Sequence, residues 1–361
     1  MNAMASAQPS KRALIAAAGT GGHIFPGLAI AEALQNKGWE VLWLGTKIGM
    51  ENRLVPQRNI RFESIEFGGA RGKGIVSWLL MPYRLIKASM ECGLIIAKVK
   101  PNLVIGFGGY VSLPAGLAAK FMVKTLIIHE QNSVAGLSNK VLSYLTKHVL
   151  TAFPNVIDKA YVTGNPLRKE FMNVADPAVR FKNRTGPLRI LIIGGSLGAK
   201  FLNETVPNAI KLIPEQDRPD ITHQSGVNQY ADLKNLYEKL EVEAIVVQFI
   251  DNTAQAFADA DLIICRAGAS TVSEIAAVGA AAIFVPLPSA VDDHQTKNAM
   301  YLVKDKAAWL QAQGELTPQK LANEISKMNR QNLLAAALES KKLCIPNTVN
   351  KIVDECEALI K

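Results

Sequence analysis

One pattern occurs twice in this chain and constrains its fold more than any other feature: an unbroken apolar run, a glycine-rich turn, then a helical stretch. The first copy runs from Ala13 through Ile15 to the turn Gly19-Thr20-Gly21-Gly22, with Pro26 near the helix start. The second runs from Ile190 through Ile193 to Gly194-Gly195-Ser196 and into a helix after Ala199. Further apolar runs at Val41–Leu44, Leu103–Phe107, Thr125–Ile128 and Val149–Thr151 follow the first copy, and Ala244–Phe249, Leu262–Cys265 and Ala282–Val285 follow the second. Continuous β-branched runs alternating with helical patterns predict an α/β protein with parallel strands buried on both faces.

At 361 residues the chain is long enough for two such domains. The breaker-rich stretch Tyr161–Pro187, with Gly164, Pro166, Pro177 and Gly186, places the junction. The expected division is residues 11–166, then 167–346, with a final helix at 347–361 that packs back onto the first domain. Two Rossmann-like parallel-sheet domains facing across a cleft is the simplest architecture of this kind. The four cysteines form no CxxC pair and accompany no histidine cluster, so neither a zinc site nor a disulfide framework is expected. No apolar stretch reaches the length of about 18 residues that a bilayer span needs, which predicts a location in the cytoplasm or on the cytoplasmic face of a membrane. The net charge of +9 is uneven: residues 1–166 hold 18 Lys and Arg against 8 Asp and Glu, whereas 167–361 are nearly balanced. A basic first half predicts an anionic surface partner.

A glycine turn between strand and helix gathers free amides and the positive end of a helix dipole at one point, which suits a phosphate. A third such turn, Gly106-Phe107-Gly108-Gly109-Tyr110, follows the run at 103–105. Three loops at the carboxyl ends of strands point to a ligand there. A nicotinamide dinucleotide does not fit, because Gly19 and Gly21 would require glycine at Ile24, and the next strand ends in Gly45-Thr46 rather than an acidic residue. No GxxxxGK[ST] phosphate loop is present.

Six motifs then occur in order: Gly19–Gly27, Gly106–Tyr110, His129-Glu130-Gln131-Asn132, Thr163–Arg168, Gly194–Ser196 and Arg266–Glu274. Together they resemble the MurG family, the GT-B-fold N-acetylglucosaminyltransferases of peptidoglycan synthesis, over nearly the whole chain. The resemblance implies inverting transfer of GlcNAc from UDP-GlcNAc to the 4-hydroxyl of MurNAc in undecaprenyl-diphosphoryl-MurNAc-pentapeptide, converting lipid I to lipid II. It implies donor contacts at Thr20, Gly21, Gly22, Asn132, Arg168, Ser196, Ile250, the run Ala269, Ser270, Thr271, Val272, Ser273 and Glu274, and Gln295. Those residue types suit the chemistry. Ser196 at a helix start and Arg168 can stabilise the departing diphosphate, Glu274 offers acceptors to ribose hydroxyls, and Asn132 and Gln295 can donate and accept. Ile250 is expected to hold the uracil by its backbone.

His23, directly after the first glycine loop, and Glu130 are the two candidate bases. Asp292-Asp293 lacks the D-x-D spacing, so no cofactor or essential metal is expected, a divalent cation being at most an accessory. The segment Ile75, Val76, Trp78, Leu79, Leu80 and Met81, flanked by Arg71, Lys73, Arg84 and Lys87, reads as a patch lying in an anionic inner-membrane surface. The expected partners are therefore UDP-GlcNAc, lipid I and that surface. Nucleic acid is not expected, for lack of aromatic interleaving or a basic stripe. A UDP-GlcNAc 2-epimerase of the same fold is the alternative activity.

Overall fold

In the strand Glu40–Thr46 five consecutive residues, Val41 to Gly45, are buried, as a strand covered on both faces requires. The computed structural model describes residues 11–69, 76, 79–195 and 198–360. The chain forms two units: the part up to Leu167 together with the segment from Asn347 onward, and Arg168–Pro346.

The first unit is built on a seven-stranded parallel sheet. Its strands are β1 (Arg12–Ala16), β2 (Glu40–Thr46), β3 (Arg61–Ile65), β4 (Leu103–Gly106), β5 (Thr125–Glu130), β6 (His148–Thr151) and β7 (Tyr161–Val162), in the order β3-β2-β1-β4-β5-β6-β7. β1 pairs with β2 and with β4, Ala13 lying opposite both Val41 and Leu103. Alternate residues of β1 feed opposite cores. Ala13 and Ile15 join Ile24, Leu28 and Leu34 of the helix Gly21–Asn36. Leu14 and Ala16 join Ala88, Cys92 and Ile96 of the helix Met81–Val99, with Ala115 and Ala119 of the helix Ser112–Phe121. The last helix, Thr348–Leu359, belongs to this unit. It buries Ile352, Val353 and Cys356 against the helix Gly21–Asn36. His148 Nδ1 lies 3.2 Å from Glu355 Oε1 and adds a polar tie.

The second unit carries a six-stranded parallel sheet of β8 (Arg189–Ile193), β9 (Asp220–Gln224), β10 (Ile245–Val247), β11 (Leu262–Cys265), β12 (Ala282–Phe284) and β13 (Ala308–Leu310), ordered β10-β9-β8-β11-β12-β13. Ile190 and Ile192 pack with Leu202 and Val206 of the helix Lys200–Lys211 and with Leu321 and Ile325 of the helix Pro318–Ser326. At the amino end of this sheet the fully buried Asp261 carboxylate is held by Arg184 and by Arg330, and accepts the Arg189 amide. In each unit the strand order reverses at one place, between β1 and β4 and between β8 and β11. Ligands of open parallel sheets bind at the carboxyl edge of such a reversal. The three glycine loops follow β1, β4 and β8.

Candidate active site

The first loop begins where β1 ends. Gly19 has φ +100°, a conformation that favours glycine, and Thr20 precedes the helix Gly21–Asn36 in extended backbone. The Thr20 carbonyl accepts the amides of His23 and Ile24, so the amides of Gly21 and Gly22 are left at the exposed helix start. The loop after β4 packs directly beneath it. Gly109 has φ +76°, and a side chain there would begin 2.2 Å from the Ala18 carbonyl oxygen. Ser112 Oγ, 2.8 Å from the Ala16 carbonyl and 2.6 Å from that of Gly108, ties the two strand ends together.

His23 sits between these loops. Its Nδ1 is 2.9 Å from both the Phe107 carbonyl and Gln131 Oε1. Both neighbours are acceptors, so Nδ1 carries the proton and Nε2 presents a lone pair. The same accounting extends inward. His129 Nε2 donates to the Gly164 carbonyl at 3.0 Å, its Nδ1 accepts from Gln131 Nε2 at 2.9 Å, and Gln131 Oε1 then faces His23. Burial holds His129 down to about 4, so it stays neutral and the chain of donors keeps one direction. The sequence reading includes Gln131 in the His129–Asn132 motif but gives it no role. Its place between two histidines, two residues after one of them at a strand end, was the available signal.

Glu130 is buried and its carboxylate accepts four hydrogen bonds. Oε1 takes the Asn132 amide at 2.9 Å and Asn132 Nδ2 at 3.2 Å; Oε2 takes the Gly136 amide at 3.0 Å and Asn139 Nδ2 at 2.9 Å. Four donors fill the acceptor sites of a carboxylate. This geometry holds the 130–139 loop and engages both Glu130 oxygens, so a proton from outside reaches this candidate base only by displacing one of the four donors. The same bonds fix Asn132 at the carboxyl end of β5. A second buried carboxylate, Glu51, supports the first loop from below. It accepts from the amide and hydroxyl of Thr46 and lies 3.5 Å from the Gly19 amide.

In the second unit the loop after β8 needs its glycines. A side chain on Gly194 would meet the Ala199 amide at 2.4 Å, and one on Gly198 the Ser225 carbonyl at 2.1 Å. Ser196 lies outside the described residues. The helix Ala269–Val278 starts at the carboxyl end of β11 behind an extended Gly268, and brings Ala269, Ser270, Thr271, Val272, Ser273 and Glu274 along its first turns. Ala269 and Val272 are buried, and the Ser270 hydroxyl is a buried group with no partner among the described residues. Arg168, exposed ahead of the helix Lys169–Met172, stacks its guanidinium 5.1 Å over the Phe171 ring. It also acts on Glu274. Burial pushes the Glu274 carboxyl up to about 7, and the Arg168 charge offsets only part of that rise.

Ile250 follows β10, but both its backbone groups are engaged. Its amide donates to Gln224 Oε1 at 3.0 Å and its carbonyl accepts Thr253 Oγ1 at 3.2 Å. A uracil held by this backbone must use the second lone pair of the carbonyl or displace Gln224, a restriction the sequence does not reveal. Gln295, in the first turn of the helix His294–Val303, accepts the Leu287 amide at 2.9 Å through its oxygen. Arg266 is occupied structurally, donating to the carbonyls of Val285 and Pro286 and to Gln313.

The predicted membrane segment is described in part, since Ile75 and Trp78 lie outside the described residues. Val76, Leu79 and Leu80 are exposed, and Met81 partly so. The apolar stripe continues along the helix Met81–Val99 at helical spacing. Leu79 is 74% exposed, Ile86 62%, Met90 68% and Leu94 74%, while Ala88, Cys92 and Ile96 on the other face are buried. The neighbouring helix adds Phe121, 90% exposed. Exposed Arg84, Lys87 and Lys120 border the stripe. No helix among the described residues is long and apolar enough to cross a membrane.

Comparison with known proteins identifies the family. Residues 13–151 match the glycosyltransferase family 28 N-terminal domain and residues 189–355 the corresponding C-terminal domain. A protein of Albidiferax ferrireducens named UDP-N-acetylglucosamine--N-acetylmuramyl-(pentapeptide) pyrophosphoryl-undecaprenol N-acetylglucosamine transferase is 52% identical over 97% of this chain and 91% of its own length. One of the same name from Polaromonas naphthalenivorans is 54% identical over 96% of this chain and 98% of its own. The crystal structure of MurG from Acinetobacter baumannii superposes with a TM-score of 0.86 at 41% identity, covering 96% of this chain and 99% of that one. A kitacinnamycin glycosyltransferase, at 13% identity and a TM-score of 0.69 over 98% of this chain, shares the fold alone. With two parallel-sheet units of GT-B type and identity of this order over nearly its full length, the chain belongs to glycosyltransferase family 28.

Proposed function

We infer that this protein is an inverting N-acetylglucosaminyltransferase that moves GlcNAc from UDP-GlcNAc to the 4-hydroxyl of MurNAc in undecaprenyl-diphosphoryl-MurNAc-pentapeptide, giving lipid II. The observation that carries the reading is identity above 50% over nearly the whole chain to transferases so named. Those names also favour a transferase over the 2-epimerase alternative, which uses no acceptor.

The site geometry supports a specific division of labour. In the first unit His23 Nε2, with its lone pair fixed by the two acceptors at Nδ1, takes the proton of the acceptor hydroxyl. The alkoxide oxygen forms the new bond to the anomeric carbon from the face opposite UDP. The bond to the β-phosphate breaks, and UDP leaves with the electron pair. In the second unit the helix start after the β8 loop, with Ser196, and the Arg168 guanidinium stabilise the charge that develops on UDP. Glu274 accepts from the ribose hydroxyls, Ile250 faces the uracil, and the first turn of the helix Ala269–Val278, with Gln295, binds the sugar. Thr20, Gly21 and Gly22 present amides to a diphosphate.

The exposed apolar stripe with its basic border, and the charge surplus of the first half, support peripheral docking on the anionic cytoplasmic face of the inner membrane, where a lipid-linked acceptor resides. The deciding experiment measures UDP release from UDP-GlcNAc with and without a lipid I analogue. Release that depends on the acceptor, with lipid II as product, is the expected result. Release at the same rate without acceptor overturns the transferase reading.

A further inference from the structure

β9 lies between β8 and β10 in the second sheet, so a residue at its carboxyl end stands between the loops that follow both neighbours. That residue is Gln224, and it is only 4% exposed. Its Nε2 donates to the Gly195 carbonyl at 3.0 Å, and its Oε1 accepts the Ile250 amide at 3.0 Å. The Gly195 carbonyl also accepts the Gly198 amide at 3.0 Å, so the bond from Gln224 falls on the closing hydrogen bond of the glycine turn. One amide group therefore grips a glycine loop with one end and the segment after β10 with the other.

The support beneath Gln224 is rigid. The adjacent His223 is fully buried and engaged through both nitrogens, by Tyr237 Oη at 2.9 Å and Asn203 Oδ1 at 3.1 Å. Asn203, in the helix that follows the glycine loop, donates to the Ser225 carbonyl at 3.0 Å and to Gln229 Oε1 at 3.1 Å. Burial holds His223 down to about 3, so this network keeps one protonation state throughout the neutral range. A half-exposed glutamine would be an ordinary polar side chain. A buried one with both ends committed to two different loops fixes the distance between them.

We propose that Gln224 is a positioning residue that couples the diphosphate-binding glycine loop to the base-binding segment at Ile250, setting the separation that a nucleoside diphosphate must span. The proposal rests on the reading of the second unit as the nucleotide site. A clamp of this kind acts on a ligand that touches both loops at once, by raising the effective concentration of the second contact once the first is made. It has little effect on a fragment that touches one loop.

The test compares UDP with uridine on the full-length protein, by calorimetry and by NMR titration, for the wild type and Gln224→Met. Methionine fills the volume and removes both bonds. The expected result is a fall in UDP affinity of about tenfold or more with uridine affinity within about twofold of wild type. A general loosening, or a contact local to the Ile250 segment, lowers both by the same factor, and that result, or an unchanged UDP affinity, overturns the proposal. Should Gln224→Met fail to fold, Gln224→Asn carries the test. The neutral asparagine is one methylene too short to hold Gly195 and Ile250 together and adds no charge that would repel UDP, so the UDP-to-uridine affinity ratio falls in the same direction. Wild-type protein that binds no UDP overturns the nucleotide reading itself, an outcome distinct from wild-type binding that the variants leave intact.

Discussion

UDP-GlcNAc titrated onto this protein across the neutral pH range reports directly on Glu274. Its carboxyl, half-buried in the second turn of the helix Ala269–Val278, is pushed up to about 7 by loss of solvent, against the weaker opposing pull of Arg168. A group with that pKa is about half ionised at neutral pH, about nine-tenths ionised one unit above and about one-tenth one unit below. Ribose hydroxyls donate hydrogen bonds, so the donor selects the carboxylate. Its apparent affinity should therefore fall about tenfold between about pH 8 and about pH 6, or ~1.4 kcal/mol. Binding near neutrality should expel about half a proton from the protein. Both phosphoryl groups of UDP-GlcNAc are fully ionised in this range, so none of that proton comes from the ligand. Calorimetry in two buffers of different ionisation enthalpy measures the proton count, and the pH series measures the affinity. Glu274→Gln should abolish both dependences and bind weakly throughout. The linkage has a stability counterpart of opposite sense. The folded pKa lies above the usual carboxylate range, so the free protein loses stability as pH rises from about 4.5 towards 7 and is flat above, a loss the glutamine variant lacks. Wild-type affinity that is level across the range, with buffer-independent enthalpies, refutes the reasoning.

Three further perturbations separate the roles assigned to the first unit. His23→Ala should lower kcat for acceptor-dependent UDP release by about 10²–10⁴ while leaving UDP-GlcNAc affinity within a few-fold; a kcat close to wild type removes His23 from proton transfer. Glu130→Gln replaces an acceptor oxygen facing Gly136 or Asn132 with a donor, so thermal denaturation should show a loss of about 1–3 kcal/mol. Unchanged stability with a collapse of kcat would instead mark Glu130 as a base. Leu79→Glu combined with Ile86→Glu places charges on the exposed stripe. Sedimentation with anionic vesicles should lose the bound fraction while UDP affinity stays at the wild-type value. Vesicle binding that survives moves the docking surface elsewhere.

The parts of this molecule legible in the sequence are those governed by local rules. β1, β4, β5, β8, β11 and β12 follow from apolar runs, because strands covered on both faces cannot hide their composition. The four strands without such a signal have physical reasons for lacking one. β3 and β13 are edge strands, and β3 carries an exposed Arg61 and a half-buried Glu63. β7 has only two residues. β9 is internal yet reads Asp-Ile-Thr-His-Gln, since its buried His223 and Gln224 are satisfied by partners distant in sequence. Site residues divide in the same way. The glycine loops and His23 are visible because turn geometry demands glycine nearby. Saturation of Glu130 by four donors, the Gln131 link between His23 and His129, and the Gln224 clamp depend on contacts that spacing does not encode.

The approach of Gly109 to the Ala18 carbonyl has a consequence for anyone who would re-engineer this enzyme. With no space for even a methyl group between Gly109 and the Ala18 carbonyl, position 109 cannot be changed while the loop after β1 stays fixed. A library that replaces Gly109 must therefore vary the backbone around Ala18 with it, since the two turns move as one piece at that contact.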